Sequence, residues 1–183
     1  MKTTGDIYRL HEAVMSGFKV YDNKPRVLFR VEPEWNNDGV NILVQSTVTP
    51  DWVDLKESGK GLISFHVKPY NPVINSGDFL RFRLRGNPTV KRNGKRYGLI
   101  HDDALEKWML KWTEELGVKN LSFNVIDEGY ISGLKNGIEI KIKTARFDGR
   151  FQIIDPEKLL NKIAAGIGSA KGFGCGLFSI AAG

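Results

Sequence analysis

The segment Phe79–Arg85 constrains this chain more than any other. Phe82 and Leu84 project to one side, and Arg81, Arg83 and Arg85 to the other. A period of two residues requires a strand. A strand so patterned needs a sheet with one face on a core and one face wet, the habit of antiparallel sheets. Gly86-Asn87-Pro88-Thr89 ends the strand, and Lys95–Ile100 reads as its partner across a basic loop.

The other elements follow from period and punctuation. Asp6 caps a helix over Ile7–Lys19, whose stripe is Ile7, Leu10, Val14 and Phe18. Val27–Val31, Ile42–Val48 and Leu62–Lys68 read as strands, and Lys68-Pro-Tyr-Asn-Pro72 as an extended loop. A second helix is expected over Asp103–Leu116, stopped by Gly117. Strands Leu121–Ile131 and Ile138–Phe147 come next, with Asp148-Gly149 as a hairpin turn returning through Arg150–Ile154. Asp155-Pro156 opens a third helix, Glu157–Ala165, and a glycine-rich tail leads to a strand at Gly176–Ala181. Helices between antiparallel strands give an α+β chain of two tandem ferredoxin-like (RRM-like) halves, residues 1–88 and 89–183.

Charge narrows the partners. The net charge is +6 and the pI near 9.4. Seven cations (Arg81, Arg83, Arg85, Lys91, Arg92, Lys95, Arg96) fall in sixteen residues without one acid. Solvated arginines on a bare strand face would repel one another, so a polyanion is the better account. Lys135, Lys141, Lys143, Arg146 and Arg150 add to that field. Such cations contact phosphate without reading sequence. No apolar run reaches the ~20 residues of a membrane helix. Met1–Asp6 has no apolar leader, and the single cysteine, Cys175, permits neither an internal disulfide nor a multi-cysteine zinc site. A reducing cytoplasm is the expected compartment.

Tyr8 and His11, three residues apart, share a helix face beside the buried stripe. There they are either a packing tyrosine with a boundary histidine, or a proton-transfer pair reachable by substrate. His66 falls on the polar side of its strand, and the carboxylates of His101-Asp-Asp103 suit a helix start. No metal constellation and no cofactor motif is found. Gly166-Ile-Gly-Ser-Ala-Lys-Gly-Phe-Gly-Cys-Gly176 is neither a dinucleotide fingerprint nor a P-loop. It is either a tight helix-to-strand turn or a nest of N–H groups, with Lys171, against phosphate.

Taken together, these motifs resemble one family. Tyr8-Arg-Leu-His-Glu-Ala-Val-Met-Ser-Gly-Phe18, Leu28-Phe-Arg-Val-Glu-Pro33, Leu80-Arg-Phe-Arg-Leu-Arg-Gly-Asn-Pro-Thr89, Phe147–Pro156 and Gly166–Leu177 occur in the order of the CasE family, the repeat-RNA endoribonuclease of the type I-E Cascade complex. The resemblance spans Tyr8 to about Ile180. It implies a tandem ferredoxin-like fold, metal-independent cleavage at the 3′ base of a CRISPR repeat hairpin, retention of the guide RNA, and assembly with other Cascade subunits, with no membrane partner. It puts Tyr8 and His11 on catalytic positions. The expected RNA contacts are Arg81, Arg83, Arg85, Asn87, Lys91, Arg92, Lys95, Arg96, Lys141, Lys143, Arg146, Lys171, Gly172 and Gly174. Family members begin with a strand before this helix, whereas six residues precede it here. The first half is therefore expected to lack its first strand, and the alternative function is a shortened, non-cleaving homologue that binds an RNA hairpin or docks on Cascade.

Overall fold

The computed structural model describes residues 6–19, 25–36, 39–59 and 61–183, with the backbone alone at 34–36. The expectation that Met1–Asp6 forms no strand lies largely outside the described residues. The elements are α1 (Ile7–Ser16), β1 (Val27–Asn36), β2 (Gly39–Ser46), α2 (Val53–Glu57), β3 (Phe79–Gly86), β4 (Thr89–Arg92), β5 (Lys95–Gly98), α3 (Asp102–Leu110), α4 (Thr113–Leu116), β6 (Val118–Lys135), β7 (Ile138–Ile153), α5 (Pro156–Ala165), a 3₁₀ turn (Lys171–Phe173) and β8 (Phe178–Ala182).

The larger sheet has the order β6-β7-β3-β8, all antiparallel. With α3–α4 after β3 and α5 after β7, this is the βαββαβ path of a ferredoxin-like unit. Phe82, Leu84, Phe147, Phe151 and Phe178 face α3 and α5 and form the main core with Trp108, Met109 and Leu159. Burying each large apolar side chain stabilises by about 1.5–3 kcal/mol. The hydrogen bonds of β3 run across the 88/89 division expected from the sequence, because both of its partner strands lie beyond it. Before β3, β1 and β2 pair antiparallel in a two-stranded sheet. A smaller core of Val14, Phe18, Phe29 and Trp52 lies beneath α1.

Four local readings change. First, Lys95–Gly98 pairs with Thr89–Arg92 and not with β3, whose two edges are filled by β7 and β8. Second, Asp148-Gly149 is no turn. β7 runs straight through it, and a Cβ on Gly149 would lie 2.2 Å from Ser122 O. The glycine there permits close strand approach. The hairpin turns at Asn136-Gly137, with φ of 50° and 78°, the pair of left-handed residues a tight hairpin needs. Third, Leu62–Lys68 is not a strand. Leu62 and Phe65 pack on the smaller core, but Val67 is half-exposed and the segment joins no ladder. Alternation alone makes no strand without a partner edge. Fourth, the helix expected over Asp103–Leu116 breaks into α3 and α4 at Lys111-Trp112, ending at Gly117 with φ 64°.

One buried ion chain ties the β1–β2 hairpin to the larger sheet. Arg30 on β1 is 3% exposed. Its guanidinium pairs with Glu32 at 2.7 Å and donates to Arg83 O at 2.8 Å, Leu177 O at 3.3 Å and Ser179 Oγ at 2.9 Å. Glu32 passes the chain to Arg83 at 3.0 Å, Arg83 to Asp148 at 2.7 Å, and Asp148 to Arg146 at 2.9 Å. Burial pulls the Arg30 pKa down and Glu32 pulls it back. Removing one partner of such a network strands buried charge. Arg30→Ala is therefore expected to cost about 3–5 kcal/mol in chemical denaturation. A cost under about 1 kcal/mol, the range of exposed pairs, would show that apolar contacts alone join the two parts.

Candidate active site

α1 is held at both ends of its exposed face. The Asp6 carboxylate accepts from Tyr8 N at 2.9 Å and Arg9 N at 3.4 Å, capping the first turn. β6 crosses that turn at Gly133, where a Cβ would lie 2.6 Å from Asp6 Oδ1 and 2.8 Å from Tyr8 N. One helical turn on, the glycine-rich tail closes over His11. The Phe173 ring lies 5.8 Å from the imidazole, and a Cβ on Gly172 would sit 3.5 Å from His11 Cε1.

The result is a compact constellation. The Tyr8 and His11 ring centroids are 6.2 Å apart, and both residues are half-buried. Lys135 Nζ, at the β6–β7 hairpin tip, stands 5.9 Å from the centre of the Tyr8 ring. His11 Nδ1 points inward with no hydrogen-bond partner among the described residues. That leaves Nε2 as the ring nitrogen available to a substrate. An imidazole, a phenol and an ammonium meet here, a set able to move a proton, donate a hydrogen bond and neutralise developing negative charge.

The tail is a loop that depends on glycine as well as a wall. Gly174 has φ 80°, and a Cβ on it would lie 3.2 Å from the Phe29 ring. Gly174 is buried, whereas Gly172 is half-buried beside His11. Lys171 Nζ donates to Ala165 O at 2.8 Å. Burial first, then the charges of Arg26 and Lys162, hold its ammonium below the ordinary lysine pKa.

The expected polyanion-binding residues divide into two groups. Arg83 is paired with Glu32 and Asp148, Arg85 with Glu128 at 2.5 Å, and Arg146 with Asp148. Lys143 is 3% exposed, paired with Asp127 and set over the Tyr130 ring at 5.4 Å. Its hydrogen bond, then that from Gly129 N, holds the Asp127 carboxyl below the usual carboxylate range. Asn87 is buried, donating to Lys143 O at 2.7 Å and accepting from Ser169 Oγ at 2.8 Å. These five therefore hold the sheet and the tail together. Arg81, Lys91, Arg92, Lys95, Arg96 and Lys141 remain exposed. The four on the β4–β5 ribbon have no acidic partner among the described residues, and Lys141 has Glu139 at 3.4 Å. The sequence reading counted Lys135 in the basic field but did not place it beside Tyr8, and it did not single out Phe173. The Asn136-Gly137 turn signal would have placed Lys135 at a hairpin tip.

A family model described as "CRISPR associated protein" matches residues 1–182. The chain belongs to this family. It is 28% identical to the CRISPR-associated endoribonuclease Cse3 of Thermus thermophilus over 95% of its length and 89% of that protein. It is 30% identical to the CRISPR system Cascade subunit CasE of Escherichia coli over 96% of its length and 92% of that protein. Among solved structures, Thermus thermophilus Cse3 bound to an RNA representing a pre-cleavage complex superimposes with a TM-score of 0.84 at 28% identity, covering 98% of this chain and 91% of that one. The Escherichia coli Cas6e crystal structure gives 0.69 at 28% identity, covering 97% and 92%. The tandem ferredoxin-like fold and CasE-type membership are thus established together.

The one thiol stands apart from the constellation. Cys175 is fully buried, and burial pushes its pKa up to about 12. Nucleophilic cysteines need the opposite shift. Iodoacetamide at about pH 8.5, the ordinary thiol pKa, is expected to spare Cys175 in the folded chain and label it in urea. Rapid labelling of the folded chain, read by intact mass, would contradict the buried placement.

Proposed function

We propose that this member of the CasE family is an endoribonuclease that cuts CRISPR repeat RNA at the 3′ base of its hairpin and keeps the mature guide within Cascade, in the cytoplasm. The observation that carries the reading is Tyr8 and His11 on one face of α1, with Lys135 over the phenol and the tail against the imidazole. A shortened homologue that only binds would have no use for that arrangement.

RNA brings its own nucleophile, so the reaction needs neither a metal ion nor an attacking side chain. The 2′-hydroxyl loses its proton and attacks the adjacent phosphorus. The bond to the 5′-oxygen breaks, and that oxygen takes up a proton, leaving a 2′,3′-cyclic phosphate and a 5′-hydroxyl. His11 performs one of the two proton transfers through Nε2, the imidazole being the usual proton-transfer side chain. Tyr8 holds the phosphate as a hydrogen-bond donor. Lys135 neutralises the charge that builds on the phosphorane oxygens. Affinity for the stem comes from the exposed Lys91, Arg92, Lys95 and Arg96, with Lys141. A-form RNA hides its bases in a deep, narrow major groove, so these cations meet phosphate. Lys171 and Gly172 line the approach to the scissile bond.

His11→Ala is expected to slow single-turnover cleavage of the repeat by about 10²–10⁴, the usual worth of a positioned proton-transfer group, with RNA affinity nearly unchanged. Tyr8→Phe should slow it less, because the ring and its packing stay. Parallel losses of rate and affinity in His11→Ala would mean that the imidazole is structural. A fully active Tyr8→Phe would remove the phenol from the reaction.

A further inference from the structure

The wet face of the larger sheet is arranged in rungs, and the rungs are not treated alike. One rung reads Asn124, Asp148, Arg83, Ser179 across β6, β7, β3 and β8. Its arginine is neutralised by Asp148 and Glu32. A second sets Arg146 directly opposite Arg85. That like-charged pair is relieved by Asp148 on one side and Glu128 on the other. A third rung reads Ser122, Arg150, Arg81, Ala181. Here again two arginines face each other on neighbouring strands, but neither has an acidic partner among the described residues. Arg81 Nε donates only to Ala182 O, at 2.9 Å. Like charges directly opposite in a sheet are destabilising, and side chains so paired are only ~5 Å apart at Cβ. The flanking Ser122 and Ala181 are too small to cover either guanidinium. They open into a cleft of about 720 Å³.

We propose that Arg81 and Arg150 form a second RNA site, a paired-guanidinium clamp for the phosphates of single-stranded RNA on the 5′ side of the hairpin. Two forks side by side match two successive phosphates, since each guanidinium binds phosphate oxygens bidentately. The hydroxyl of Ser122 and the amide of Asn124 line the same cleft and suit phosphate and sugar oxygens. The clamp is remote from the chemistry. Gly133, at the start of α1, and Ser122 are eleven residues apart on β6. That is roughly 35 Å at ~3.4 Å per residue. A ligand reaching both must run on from the hairpin by several nucleotides. The choice of the 5′ side rests on the function proposed above, because a cut at the 3′ base leaves only the 5′ strand attached. RNA already held at one end meets the clamp at high effective concentration.

The test is fluorescence anisotropy across a salt series with three RNAs: the repeat hairpin alone, the hairpin with an unpaired oligouridine 5′ extension, and the hairpin with the same extension placed 3′. The unaltered chain should bind the 5′-extended RNA more tightly than the other two. Arg81→Ala with Arg150→Ala should abolish that gain and lower the salt slope for the 5′-extended RNA by about 1.4, twice the ~0.7 that each single-strand phosphate contact contributes. Arg81→Lys with Arg150→Lys should keep most of the slope and lose part of the affinity, because charge survives without the fork. The clamp is overturned if the 5′ extension adds no affinity, if the 3′ extension adds as much, or if the double alanine variant weakens the bare hairpin equally. Unchanged binding of every RNA by that variant also overturns it, and leaves the pair to an acidic protein surface. Single-turnover cutting of the 3′-extended RNA by the unaltered chain is scored alongside, its anisotropy being read with a 2′-deoxy nucleotide at the scissile position. An absence of cutting there counts against the nuclease reading alone, since the extension still reports on the clamp.

Discussion

The buried guanidinium of Arg30 is the contact on which the rest of the arrangement depends. A charge that is 3% exposed must be paired and fully hydrogen-bonded to be tolerated. Arg30 meets that demand by reaching out of its own hairpin to the backbone of β3, to the segment entering β8 and to Ser179. The β1–β2 hairpin is thereby fixed on the wet face of the larger sheet. This placement matters to the site, because Phe29, next to Arg30, packs under the tail at Gly174. The tail in turn walls His11. A single desolvated charge thus sets how α1 and its covering loop meet.

The same network redistributes the positive charge. Read along the chain, Arg81, Arg83 and Arg85 are equivalent cations on one strand face. In the fold they are not, because Glu32, Asp148 and Glu128 arrive from β1, β7 and β6 to neutralise two of them. What stays open is the β4–β5 ribbon near one end of β3 and the Arg81–Arg150 pair near the other. Exposed cations that keep no acidic partner are the ones able to release counterions on meeting RNA. On the proposals above, the ribbon meets the stem and the Arg81–Arg150 rung meets a flanking strand.

Much of this was legible in the sequence wherever the signal was local. The Asp6 cap, the α1 stripe, the Asp155-Pro156 helix start and the alternation of β3 are decided within a few residues, and all appear in the fold. Tyr8 and His11 were legible as neighbours because helical spacing alone brings them together. What a strand pairs with was not legible. Lys95–Gly98 and Leu62–Lys68 carry strand patterns, but their fates depend on which edges β7 and β8 had already filled. Asp148-Gly149 and Asn136-Gly137 are equally good turn signals by type. Only the crossing of Gly149 over Ser122 distinguishes a glycine that yields to a neighbouring strand from one that turns the chain. The ion partners of Arg83 and Arg85 sit 43 to 65 residues away in sequence, beyond any spacing rule.

The central claim is that the chain cuts RNA with the RNA's own 2′-hydroxyl, the proton moved by a side chain. The most direct measurement is end-group analysis after incubating the chain with its cognate repeat RNA in excess chelator. The account predicts one discrete cut at the 3′ base of the hairpin, a 2′,3′-cyclic phosphate on the upstream product and a 5′-hydroxyl on the downstream one. A repeat whose 2′-hydroxyl at the scissile position is replaced by hydrogen should stay intact. Cutting of that deoxy substrate, or a 5′-phosphate on the downstream product, would contradict it.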